Sequence, residues 1–134
     1  MHLLATRYIQ NLNQYDLQKH CGVSQTVISH YESKGIDYLK PEDKENIELY
    51  LEMKINWDVE EQSPLSKSEL KDLRFFVENI RRDNGKEKTF RWLESFGTSR
   101  EAYTEAKRII NKMRASIPMS EIAFDKGEPN GERQ

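Results

Sequence analysis

The chain is short of the residues that cross-link or anchor proteins. It has a single cysteine in 134 residues, which excludes an internal disulfide and points to a reducing, cytoplasmic setting. No apolar run approaches the length of a membrane span, and Leu3-Leu4-Ala5 is too short for a signal core. No membrane partner is therefore expected. Four prolines and six glycines leave few breakpoints. Carboxylates are plentiful, but there is no nucleophile motif, glycine-rich phosphate loop or metal-ligand cluster. His20, Cys21 and His30 lack ligand spacing on a common helical face. No enzymatic activity, cofactor or metal is expected.

An excess of positive charge is also missing, since the formal net charge is −2. The charge is unevenly spread. Residues 1–40 carry 4 basic and 3 acidic side chains, residues 41–61 carry 2 and 8, residues 62–115 carry 13 and 8, and residues 116–134 carry 2 and 4. A nearly neutral N-terminal half has little general attraction for phosphate. If it binds nucleic acid, either two copies cooperate or the basic C-terminal half contributes. The acidic stretch of residues 42–61 is expected to face away from DNA or to meet basic groups of the second half.

The densest information lies in residues 17–32. Leu17 and Cys21 are four apart and share a helical face, which places Cys21 inward as a small core residue. Gly22 follows, where a helix commonly ends in a left-handed residue. Val23 is apolar and plugs the turn. Ser24 suits the N-cap of a second helix, in which Val27, Ile28 and Tyr31 form the inward stripe. Gln25, Thr26, Ser29 and His30 face outward. A solvated face ordinarily carries more Lys and Glu. Short polar groups suit base edges and thymine methyls in a major groove.

These residues resemble a known family. Gly22-Val23-Ser24, Ile28-Ser29 and Tyr31-Glu32, with Leu17 five residues before the glycine, look like the lambda-repressor-like (Xre-type) helix-turn-helix of phage and bacterial regulators. The resemblance covers residues 2–56. It implies base contacts from Gln25, Thr26, Ser29 and His30, and phosphate contacts from Gln14 and Ser24. It also implies a partly buried ion pair between Arg7 and Glu32, whose alternative is two independent surface charges. One departure is Gln18, where the family usually has alanine. It leaves two readings open: a wider helix crossing, or a side chain that reaches outward.

The spacing predicts helices over residues 3–11, 14–21, 25–34 and 41–54. In the first, Leu4, Tyr8 and Ile9 face inward. Pro41 suits the first position of the fourth, with Glu42 and Asp43 near its positive end. Ser66-Lys67-Ser68-Glu69 and Thr98-Ser99-Arg100-Glu101 are capping-box patterns. They open helices that run to Asp83 and Ala115, with a shorter helix over residues 87–96 between them. Leu70, Leu73, Phe76, Val77 and Ile80 form one apolar stripe; Tyr103, Ala106, Ile109, Ile110 and Met113 form another. Phe96-Gly97-Thr98-Ser99 echoes Cys21-Gly22-Val23-Ser24. This admits a degenerate second helix-turn-helix with Arg100, Lys107 and Arg108 near phosphate, or an ordinary helix junction. Arg81, Arg82, Lys86, Lys88 and Arg91 surround aromatics and are read either as a nucleic-acid surface or as a solvated face.

The expected architecture is all-α. A four-helix domain, residues 1–56, is followed by a linker, 57–65, a three-helix segment, 66–115, and a flexible tail, 116–134. The expected function is a sequence-specific DNA-binding transcriptional regulator of repressor type. Its expected partners are double-stranded operator DNA, for which a palindromic site is one form, and, by analogy with the family, a second copy through residues 66–115; that segment also admits a protein partner. Two alternatives stand beside it. One is an anti-repressor or adaptor that kept the fold without DNA binding. The other is a DNA-architecture or replication accessory factor of a mobile element.

Overall fold

In a computed structural model, residues 1–58 and 64–115 are described; the expected tail and most of the acidic end of the expected linker lie outside them. These residues form seven helices and no strand: α1 Leu3–Ile9, α2 Gln14–Cys21, α3 Gln25–Lys34, α4 Pro41–Leu51, α5 Lys67–Asn84, α6 Lys86–Glu94 and α7 Ser99–Ala115.

Local chemistry explains most boundaries. Asn13 and Asp16 close a capping box on α2, and Ser66 and Glu69 close another on α5. Ser24 Oγ accepts from the Thr26 N–H at 3.2 Å and caps α3. Gly22 and Gly35 end α2 and α3 in the left-handed region, at φ of 73° and 70°. Three helices are shorter or shifted relative to the periodicity. α1 stops at Ile9 because Asn11 turns to φ 59°, and α4 stops at Leu51 because Glu52 does the same. α6 runs from Lys86 to Glu94 rather than to Phe96.

Two clusters of buried side chains hold the molecule together. Leu3, Leu17, Val23, Ile28, Tyr31, Leu39, Ile47, Leu51 and Ile55 form the first, among α1–α4. The second gathers Leu70, Leu73, Val77 and Ile80 of α5, Phe90 and Leu93 of α6, and Ala102, Ala106 and Ile110 of α7. Met1, Ala5 and Ile9 also enter it. The short α1 therefore serves both cores: Leu3 packs into one, Ala5 and Ile9 into the other. Each fully buried aliphatic side chain contributes about 1.5–3 kcal/mol, so α1 is a substantial bond between the two halves. Its buried residues are Leu3, Ala5, Thr6, Arg7 and Ile9, while Leu4 and Tyr8 pack half-buried against the second core. A helix buried on two sides has no single apolar stripe to read.

Further ties join the halves. The Met1 ammonium donates to the Phe96 carbonyl at 3.2 Å, and the Asn56 amide donates to the Gly97 carbonyl at 3.0 Å. Leu65, between the expected domains, is buried in the second core. The α6–α7 corner does not repeat the α2–α3 turn: Gly22 is left-handed and Gly97 is not.

Candidate nucleic-acid interface

The outward side of α3 is organised from beneath. Arg7 of α1 grips Glu32 of α3 with both ends of its guanidinium, Nε to Oε2 at 3.0 Å and one terminal nitrogen to Oε1 at 2.7 Å. The other terminal nitrogen donates to the Leu12 carbonyl at 2.9 Å. The two side chains are 10% and 4% exposed. Such a forked, nearly dry pair is geometrically specific. Breaking it from one side leaves a desolvated charge behind.

The network continues toward the N-terminus of α3. Glu32 Oε1 also accepts from Gln14 Nε2 at 2.9 Å, and Gln14 Oε1 accepts from Gln25 Nε2 at 2.6 Å. Arg7, Glu32, Gln14 and Gln25 thus form one chain of hydrogen bonds through α1, α2 and α3. Gln25 retains its amide oxygen and one N–H for an outside group. Gln18 Oε1 accepts the backbone N–H of Gln25 at 2.7 Å. Of the two readings open for Gln18, its side chain reaches across the turn and seals an orphan donor of α3. The sequence had shown it only as a departure; the signal was a long polar side chain seven residues before a helix start.

The remaining candidates divide. Thr26 is exposed, whereas Ser29 and His30 are half-buried, with the His30 ring 6.1 Å from that of Tyr38. Tyr38 is 63% exposed in the loop after α3, and sequence reasoning did not single it out. Ser24 is exposed, but its hydroxyl is used as the α3 cap. Gln14 has both amide atoms engaged and keeps one N–H. Leu65, Leu70 and Ser99 of the second half line a cavity with Tyr31, Glu32 and Lys34. That half approaches the C-terminal end of α3 and leaves its first turn open.

Cys21 packs, half-buried, against the first core. Its Sγ lies 3.9 Å from the Asn46 carbonyl of α4, and burial raises the thiol above its ordinary pKa. A thiol shifted that way is less nucleophilic. Among the described residues no group of three His, Cys, Asp or Glu is placed to hold a metal.

The surrounding charges are mostly committed. In the acidic stretch, Glu48 accepts from the Ile55 N–H and the Trp57 indole, and Glu52 pairs with Lys86 of α6 at 2.6 Å. Glu42 and Glu45 stay exposed. In the basic half, Arg100 is bonded to Glu69, Arg108 to Glu105 and Arg91 to Glu94. Arg81 stacks on Phe90 and Lys107 on Tyr103. Lys88 points into solvent. Arg100 is thus half-buried in its ion pair, while Lys107 and Arg108 stay exposed.

No protein-family model matches this chain, and neither does any curated protein or solved structure.

Proposed function

We propose that this protein is a sequence-specific DNA-binding transcriptional regulator of the lambda-repressor-like helix-turn-helix type. Residues 1–56 form the reading domain, and α3 enters the major groove. The observation that carries this reading is the Gln14–Gln25 hydrogen bond, anchored through Glu32 on the buried Arg7. It presents one amide edge of Gln25 in a fixed orientation at the open end of a helix. A glutamine held in that way is suited to the paired donor and acceptor of an adenine edge. Thr26 stands beside it, and Ser29 and His30 follow one turn later. Ser24 and the spare N–H of Gln14 lie where phosphate would flank the groove.

The reading domain has little net charge, so a single copy binds weakly and two copies on a palindromic site bind well. The second copy docks through residues 66–115. Phe75 supports this, since it is a large apolar side chain left 51% exposed on α5.

The test is selection of bound fragments from random duplex DNA. Wild type is compared with a folded variant carrying Gln25→Ala, Ser29→Ala and His30→Ala. The expected result is a two-fold symmetric motif, enriched by wild type alone. No enrichment by folded wild type rejects the reading.

One observation favours the adaptor reading. Leu49 is 69% exposed on α4 between the exposed Glu45 and Glu52, a surface suited to a protein partner rather than to phosphate. Steep salt dependence of binding to DNA separates the two readings. Half-sites one helical turn apart separate a dimeric regulator from an architectural factor.

A further inference from the structure

One cation of the second half, Arg74, is half-buried without pairing with a carboxylate among the described residues. It lies on α5 against the turn between α1 and α2. One of its guanidinium nitrogens donates to Asn11 Oδ1 at 2.6 Å, and the group lies 6.0 Å from the Tyr8 ring centroid. No carboxylate among the described residues pairs with it. Its other N–H donors therefore remain available beside a cavity of about 220 Å³, lined by Arg7, Tyr8, Asn11, Leu12, Asn13 and Arg74.

The position of this cavity gives it meaning. Asn13 is the N-cap of α2 and immediately precedes Gln14. Arg7, on the cavity wall, has its charge matched by Glu32. Arg74 is not matched, so the cavity keeps a net positive wall. Lys67 and Lys71 stand one and two turns before Arg74 on α5, both exposed and neither in an ion pair among the described residues. They share with Arg74 one stripe of α5, the helix that packs on α1, and Glu78 follows one turn after Arg74.

We propose that this cavity is a seat for a phosphodiester of the DNA backbone, with Arg74 as its cation, so that α5 of the C-terminal half completes the nucleic-acid surface of the N-terminal half. The inference rests on the DNA-binding reading above. The guanidinium fork, held by Asn11 and backed by the Tyr8 ring, matches the geometry of two phosphate oxygens. Asn13 supplies a polar wall; the carboxylate of Asp16 is tied back to the Asn13 N–H at 2.8 Å, and Asp72 and Glu78, near Arg74 on α5, are exposed. The contact carries no base information. It adds affinity to a domain whose own charge is too small, and it fixes how the two halves lie on the duplex.

The test uses the full chain and a duplex carrying the selected motif. Affinity is measured from low to moderate salt for wild type, Arg74→Ala, Arg74→Lys and Asn11→Gly. Arg74→Ala is expected to weaken binding about equally on motif and unrelated duplex, and to reduce the slope of log K against log salt by ~0.9. Arg74→Lys is expected to keep the slope. Asn11→Gly removes the intramolecular hydrogen bond while tolerating φ 59°, and is expected to leave the slope unchanged. Inorganic phosphate is titrated against the wild-type complex. Competition only at concentrations that screen all charge is expected for a seat that needs the polymer; saturable binding of phosphate alone would assign it to the free ion and overturn the proposal. An unchanged slope in Arg74→Ala, with wild type still selecting its motif, overturns the proposal alone. Wild type that binds no duplex overturns both it and the DNA-binding reading.

Discussion

Gln25 Nε2 donates to Gln14 Oε1 at 2.6 Å, so the first residue of α3 is held by the first residue of α2. Gln14 in turn donates to Glu32, which Arg7 grips. A flexible side chain at a helix start is thereby tied to a buried ion pair. The entropy of ordering it is spent in folding rather than in binding.

This coupling predicts a non-additive pair. Gln25→Ala is expected to cost ~1–3 kcal/mol of discrimination at one base pair of the selected site. Gln14→Ala is expected to loosen preference at that same base pair, because Gln25 loses its support. The double variant should then lose less than the sum of the two. Titrations against duplexes altered at each position check this, and additivity would show that Gln14 does not position Gln25.

Arg7→Ala leaves Glu32 at 4% side-chain exposure with its main partner gone. A loss of ~3–5 kcal/mol in folding stability is expected. Arg82 is exposed and reaches only Asn79, at 3.4 Å, so Arg82→Ala should stay within roughly 0.5 kcal/mol. Urea unfolding of the two variants gives the comparison, and equal midpoints would contradict the buried pair.

The two glycine corners should respond differently. A Cβ at Gly22 meets nothing within 4 Å, so Gly22→Ala is charged only for its backbone at φ 73°, about 1–2 kcal/mol. Gly97 is not left-handed, and a Cβ there meets only the carboxylate end of Glu101, at 3.2 Å. Gly97→Ala should therefore cost roughly 0.5 kcal/mol or less. Thermal melting of both variants checks the order.

Glu69 supplies a pH dependence. Its hydrogen bond from Arg100, then that from the Ser66 N–H, lowers its pKa from 4.5 to about 2. A carboxylate depressed on folding stabilises the native state above its unfolded pKa, and this stabilisation fades as pH falls toward the folded one. The melting temperature of Glu69→Gln should lie furthest below wild type above pH 5. The gap should close as pH approaches 2. A gap independent of pH would assign the effect to packing.

Much of the architecture was legible. Stripes such as Leu70, Leu73, Val77 and Ile80 repeat at helical spacing because α5 buries one face. Ser24 and Ser66 mark helix starts because a short side-chain oxygen satisfies an orphan N–H locally. On α1, Leu4 and Tyr8 pack against the second core as the spacing predicts, but only half-buried, and the buried Leu3, Ala5 and Thr6 follow no single stripe because two cores face the helix from different sides. Gln18 and Arg74 carried no pattern of their own, for their partners lie seven and sixty-three residues away.

What the amino-acid order determined alone was local: seven helices and most of their starts, because capping and apolar periodicity act within a few residues. Only the tertiary structure decided which polar groups meet. Arg7 reaches Glu32 across 25 positions, and Arg74 reaches Asn11 across 63. Those meetings depend on how α1 is clamped between two cores. That arrangement follows from the total apolar area buried and not from any short stretch of chain.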